Sequence, residues 1–170
     1  MTVYIALLRA VNVGGTGKLP MADLKRLCLE LGFSHVQTYI ASGNVVFQSD
    51  SSAQQVKHLL EAKLLDYAGK PVGVLLRSAD EMRNVLARNP FVQGAPNRVM
   101  ALFLDEAPSR DAILNLKGQG AELLALGERE IYIHYSEGMA SSKLQIPAAK
   151  IGTARNMNTV AKLVEMSRVI

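Results

Sequence analysis

Short apolar runs, each bounded by glycine, proline or a capping residue, follow one another along residues 1–77 in the order strand, helix, strand, strand, helix, strand. This order constrains the fold more than any other feature of the chain. Residues 2–11, TVYIALLRAV, are rich in β-branched and aromatic side chains and suit a strand buried on both faces near the centre of a sheet. A glycine-rich loop follows over 12–19, NVGGTGKL, and Pro20 opens a helix that runs to about Leu31. Met21, Leu24, Leu27, Cys28 and Leu31 make its apolar face, and Gly32 falls just past its end, where left-handed backbone carries no side-chain penalty. Residues 35–41 and 43–49 flank Ser42-Gly43-Asn44, a hairpin signal whose tip is expected at Gly43-Asn44. Ser51 or Ser52 caps a helix over 53–67, Gly69-Lys70-Pro71 ends it, residues 72–77 make a further strand, and Ser78 caps a helix over 79–88.

After Asn89-Pro90 and Gly94-Ala95-Pro96 the pattern partly repeats, so a boundary is expected between residues 88 and 97. A strand over 98–104, a helix over 110–117 behind Ser109, and a hairpin of 121–126 and 129–135 across Gly127-Glu128 come next. Residues 136–152 are mixed, and TARNMNTVAKLVEMS, 153–167, is expected as a capped final helix. The expected fold is α+β, with two ferredoxin-like (β-α-β-β-α) subdomains in tandem, 1–89 and 97–170. The second is expected to be incomplete or modified, and each antiparallel sheet to carry its helices on one face.

Composition narrows the functional classes. With 170 residues, 49% hydrophobic and 20% charged, the chain can bury a core, which excludes disorder and fibrous structure. No apolar run reaches the ~18 residues of a membrane span, since Arg9 interrupts the best candidate, and no basic stretch precedes that run to make a secretory signal. A single cysteine, Cys28, forms no internal disulfide and no cysteine-based zinc site, and points to a reducing, cytoplasmic compartment. The net charge of +4 is unevenly placed: residues 1–30 hold four basic and two acidic side chains, and residues 138–170 hold five basic and one acidic. Both ends therefore suit an anionic partner.

Those basic ends also carry the unusual polar motifs. Asn12-Val13-Gly14-Gly15-Thr16-Gly17-Lys18 invites a phosphate-loop reading, but Asn12 stands where a Walker loop needs glycine and Leu19 where it needs Ser or Thr. Pro20 likewise occupies the third glycine of a dinucleotide fingerprint. An anion-binding loop with Lys18 as its charged contact survives. Arg9 ends a buried strand, so its charge needs a surface, a cleft or an ion pair. Ser42 and Asn44 suit either the turn itself or ligand hydrogen bonding. Thr153, Arg155, Asn156, Asn158 and Thr159 exceed what capping one helix requires, and Arg155 in a first helical turn would oppose the macrodipole unless it faces an anion. His35, His58 and His134 lack metal-ligand spacing, there is no nucleophile elbow, and no motif asks for a cofactor or metal.

LLRAVNVGGTGKLPMADLKRLCLELGF, YIASGNVVF and GTARNMNTVAKL together resemble the bacterial family known as domain of unknown function 1697. The resemblance spans essentially the whole chain and falls on Arg9 to Gly15, Ser42 to Asn44, and Thr153 to Thr159. It implies an α+β protein with two ferredoxin-like parts and no established activity, substrate or cofactor. Met157 departs from the tryptophan many members carry: an aromatic that packs on a ligand would matter here, and one that packs in the core would not.

Three functions fit these residues. In the first, Arg9, Asn12, Gly14, Gly15, Lys18, Ser42, Asn44, Arg155, Asn156 and Asn158 converge on a polar cleft between the subdomains and bind a phosphate- or carboxylate-bearing ligand. A nucleic-acid backbone is the weaker partner, given no Trp, four Phe and five Tyr, none in an RNA-binding strand motif. In the second, by fold-level analogy with acylphosphatase, the chain is an enzyme of phosphoryl or acyl groups. In the third, the motifs form a structural interface with no ligand. Whether it is an enzyme, its oligomeric state, and any mobility of the 12–18 loop are left open.

Overall fold

A computed structural model describes residues 1–13 and 17–170. By its contacts the chain divides into two compact units, residues 1–83 with 162–170, and residues 84–161. The division falls inside a helix, short of the proline-rich stretch at 89–96 where the sequence suggests a boundary. Among the described residues the chain is α+β, with two four-stranded antiparallel sheets and four α-helices.

The first unit is built on β1 (Thr2–Leu8), which pairs with β3 (Asn44–Ser49) on one side and β4 (Val74–Ser78) on the other. With β2 (Ser34–Tyr39) outside β3, the strand order is β2-β3-β1-β4. Strand alternation sends Tyr4, Ala6 and Leu8 to one face, where they join Val45, Phe47 and Leu76 in a common core. Helix α1 (Met21–Glu30) adds Leu24, Leu27 and Cys28, and α2 (Ala53–Ala68) adds Val56, Leu60 and Leu64, each set spaced to keep one helical face inward. Phe33 stacks on Phe47 at 4.4 Å within this core. Ile5, Leu7, Val46 and Leu75 alternate to the opposite face and are at most 1% exposed, so that face is not solvated as helices on one side alone would leave it.

Helix boundaries follow their local chemistry. Ser52 accepts from the Gln55 N–H while the Gln55 side chain accepts from the Ser52 N–H, a reciprocal cap, and Gly69 closes α2 at φ 73°. Ser78 and Glu81 make the same reciprocal pair ahead of α3 (Ala79–Ala87). The hairpin loop is wider than expected: β2 stops at Tyr39, Ile40 turns left-handed at φ 50°, and Asn44 already belongs to β3.

The second unit repeats the strand plan. Strands β5 (Val99–Phe103), β6 (Leu123–Leu126), β7 (Glu130–His134) and β8 (Thr153–Asn156) lie in the order β6-β7-β5-β8, matching the first sheet position for position. Two expectations are corrected. The helix expected over 110–117 is only a 3-10 turn at Arg110–Ile113, because Asn115 takes φ 54° and the Lys117 carbonyl instead accepts from the Gln145 N–H at 2.9 Å. The final helix α4 spans Met157–Arg168, not 153–167, because Thr153 to Asn156 pair with β5 as an edge strand. The second copy thus ends in a strand and a helix, as the first does. Met157 is 4% exposed, so its place is in the core.

Gly152 shows why this strand begins where it does. A Cβ there would sit 2.5 Å from the Phe103 carbonyl oxygen and 2.8 Å from Leu104. Only glycine lets β8 approach β5 this closely.

Candidate functional site

Arg9 is the first residue past β1, and its N–H donates to the Gly73 carbonyl at 2.9 Å while its stem lies along Gly73. The buried strand has ended, and Arg9 is half-buried at the edge of the core. The backbone then turns left-handed at Ala10 and Asn12, φ 55° and 56°. Asn12 holds the loop from inside: its amide donates to the carbonyls of Leu19 and Ala41, both at 2.8 Å, and its side-chain oxygen accepts the Leu19 N–H at 2.6 Å. Gly17 leaves this loop at φ 90°, with the Lys70 ammonium 4.0 Å from where a Cβ would stand.

These segments enclose a cavity of about 470 Å³. Three cations line it, Arg9 at the end of β1, Lys18 before α1 and Lys70 in the turn after α2, and among the described lining residues there is no carboxylate. Its apolar wall comes from Leu64, Tyr67 and Val72. The Tyr67 hydroxyl donates to Asp23 at 2.6 Å, which raises its pKa and fixes the ring. A second hollow of about 500 Å³ shares Gly17, Lys18 and Leu19 and adds Asn12, Met21 and Ala41. Like charges gathered around one concave surface raise its potential and draw anions to it.

Lys70 and Tyr67 escape sequence reading. The available signal was a lysine held between Gly69 and Pro71 at a helix end, a place that reads only as a turn.

The other candidates distribute as follows. Ser42 and Asn44 serve the hairpin: Asn44 is fully buried, and its amide donates to the Tyr39 carbonyl at 2.9 Å and to the Ser42 hydroxyl at 3.0 Å. Gly14 and Gly15 lie outside the described residues. Arg155, Asn156 and Asn158 belong to the second unit. Arg155 stands in β8, not in a first helical turn, so no helix macrodipole opposes its charge there. Its guanidinium donates to the Thr153 hydroxyl at 2.7 Å and the Ala154 carbonyl at 2.9 Å, and burial lowers its pKa to about 10. Asn156 accepts the Thr159 N–H at 2.9 Å as the cap of α4, and Asn158 is exposed on that helix.

Arg77, 2% exposed on β4, is followed by the cap Ser78 just as Arg155 is followed by the cap Asn156. An arginine followed by a helix cap thus recurs at matching places in both units. Asn156→Ala is expected to lower stability by about 1 kcal/mol, the usual worth of a helix cap, and to leave phosphate affinity unchanged. Urea unfolding and a phosphate titration check the two halves of that statement.

Burial pushes the Cys28 thiol up to about 12, so it stays protonated. His58 is exposed, and His134 stacks on Phe91 at 5.7 Å. Among the described residues no group of three or more His, Cys, Asp and Glu is placed to hold a metal ion, and no helix is long and apolar enough to cross a membrane.

A family model described as "Protein of unknown function (DUF1697)" matches residues 1–132. A solved structure described as that of conserved bacterial protein SP0830 from Streptococcus pneumoniae is similar at 28% identity, with a TM-score of 0.80 and 98% of each chain covered. No curated protein matches the chain.

Proposed function

The chain belongs to the DUF1697 family, whose description assigns no activity, and from its own residues we propose that it binds a phosphate- or carboxylate-bearing ligand in the cavity of Arg9, Lys18 and Lys70. One observation carries this reading: three segments far apart in sequence each deliver a cation to one hollow whose described lining holds no acid. Cations from separate segments gathered around one concave surface raise its potential and favour an anion there. The volume of about 470 Å³ suits a small molecule better than a nucleic-acid backbone, which favours long open grooves.

Binding is favoured over hydrolysis. An acylphosphatase-like reaction would need an asparagine to place water, and the Asn44 amide is buried in its own hairpin. The described cavity lining offers Arg, Lys and Tyr but no carboxylate, histidine or cysteine to act as base or nucleophile. We also read each unit as ferredoxin-like, on the strength of the shared strand order and, in the first unit, of two helices on one sheet face. A cytoplasmic setting fits the single buried, reduced thiol.

Ligand that binds only the native state raises the melting temperature with concentration. At constant ionic strength, phosphate is expected to raise the melting temperature by several degrees over chloride, and Lys18→Ala and Lys70→Ala are each expected to lose most of that rise. The control Lys162→Ala, on α4, is expected to keep it. Equal rises in all four proteins would overturn the assignment.

A further inference from the structure

We infer that the ligand is a phosphate monoester carrying a flat aromatic group, with the phosphate among Arg9, Lys18 and Lys70 and the ring against Tyr67. This rests on the anion-binding reading and narrows it on three grounds.

Charge is the first. Three cations line the cavity, and a phosphate monoester, with three acceptor oxygens and about −1.5 to −2 charge at neutral pH, offers an oxygen to each where a monocarboxylate offers two in all. Size is the second. A bare phosphate ion displaces the volume of only a few waters, each about 30 Å³ in the liquid. The cavity of about 470 Å³ lies within the ~300–1,000 Å³ of sites that hold small organic molecules.

The wall is the third. Leu64 and Val72 belong to the core of the first unit, so the cavity floor is rigid and apolar. Tyr67 is 38% exposed, a large aromatic left open to solvent beside the cations. Among the described residues no other ring stacks on it, and its hydroxyl is tied to Asp23 at 2.6 Å. A part-exposed ring beside the cavity, held by its hydroxyl, is a ready platform for another ring, with little side-chain freedom left to lose on binding.

Calorimetric titration with inorganic phosphate, methyl phosphate and phenyl phosphate tests this at fixed ionic strength. Phenyl phosphate is expected to bind at least about tenfold tighter than the other two, the worth of one stacked ring with its burial. Tyr67→Ala is expected to erase that preference while leaving inorganic phosphate within about twofold of wild type, and Tyr67→Phe, which keeps the ring, to retain it. Similar affinities for all three ligands in the wild-type protein would overturn this inference and leave anion binding standing. A preference for phenyl phosphate that survives Tyr67→Ala would also overturn it, since the ring would then lie elsewhere. Binding of none of the three would overturn both this and the reading beneath it.

Discussion

Replacing Asn12 by alanine is expected to destabilise the protein by about 3 kcal/mol and to weaken phosphate binding by about tenfold or more. Asn12 makes three hydrogen bonds with one amide, two to Leu19 and one to Ala41. Leu19 is 4% exposed, so truncation strands its N–H and carbonyl where water reaches them poorly. Each such orphan costs about 1–3 kcal/mol. Asparagine is also one of few side chains at ease at φ 56°, and alanine there adds about 1 kcal/mol of backbone strain. Binding suffers because the same amide holds the loop end that carries Lys18 into the cavity. A urea titration read beside a phosphate titration checks both. A loss under about 1 kcal/mol would show that the loop is held by something else.

Gly43→Ala is expected to have a similar cost, about 3 kcal/mol, by a different route. The new Cβ would stand 2.7 Å from Val11 and 2.9 Å from Leu8, both buried side chains, and φ is 91°. Relief needs the hairpin to move off β1, yet the Gly43 carbonyl accepts the Leu8 N–H at 2.8 Å and ties the two together. For a chain of this size a loss of about 3 kcal/mol lowers the melting temperature by about 6–12 °C. A drop of only a degree or two would mean that the close approach relaxes easily. Gly43 thus permits a close contact with β1, and the Asn44 and Ser42 side chains hydrogen-bond within the turn.

Legibility in the sequence tracked how local each cause was. The α1 and α2 boundaries were readable because Pro20, Gly32, Ser52 and Gly69 act within a few residues of themselves. The final segment was not, since Thr153 and Asn156 are both good caps. What selects Asn156 is pairing of Thr153 to Asn156 with β5, some fifty residues earlier. Residues 110–117 show the same limit: helix-forming side chains lose to a contact between Lys117 and Gln145.

The candidate site divides along the same line. Arg9 announced itself as a charge at the end of a buried strand, and Lys18 as the charge of a glycine-rich loop. Lys70 did not, because it meets them only once β4 has paired with β1 and brought Gly73 beside Arg9. Arg155, expected in a first helical turn, stands buried in β8, where its guanidinium donates to Thr153 and Ala154.

An amide-resolved NMR titration of the intact chain with inorganic phosphate tests the anion site most directly. Saturable shifts confined to residues 9–13, 17–19 and 67–73 are expected, with the Arg9, Lys18 and Lys70 amides among the largest. Shifts concentrated elsewhere, or no saturable shifts at all, would contradict it.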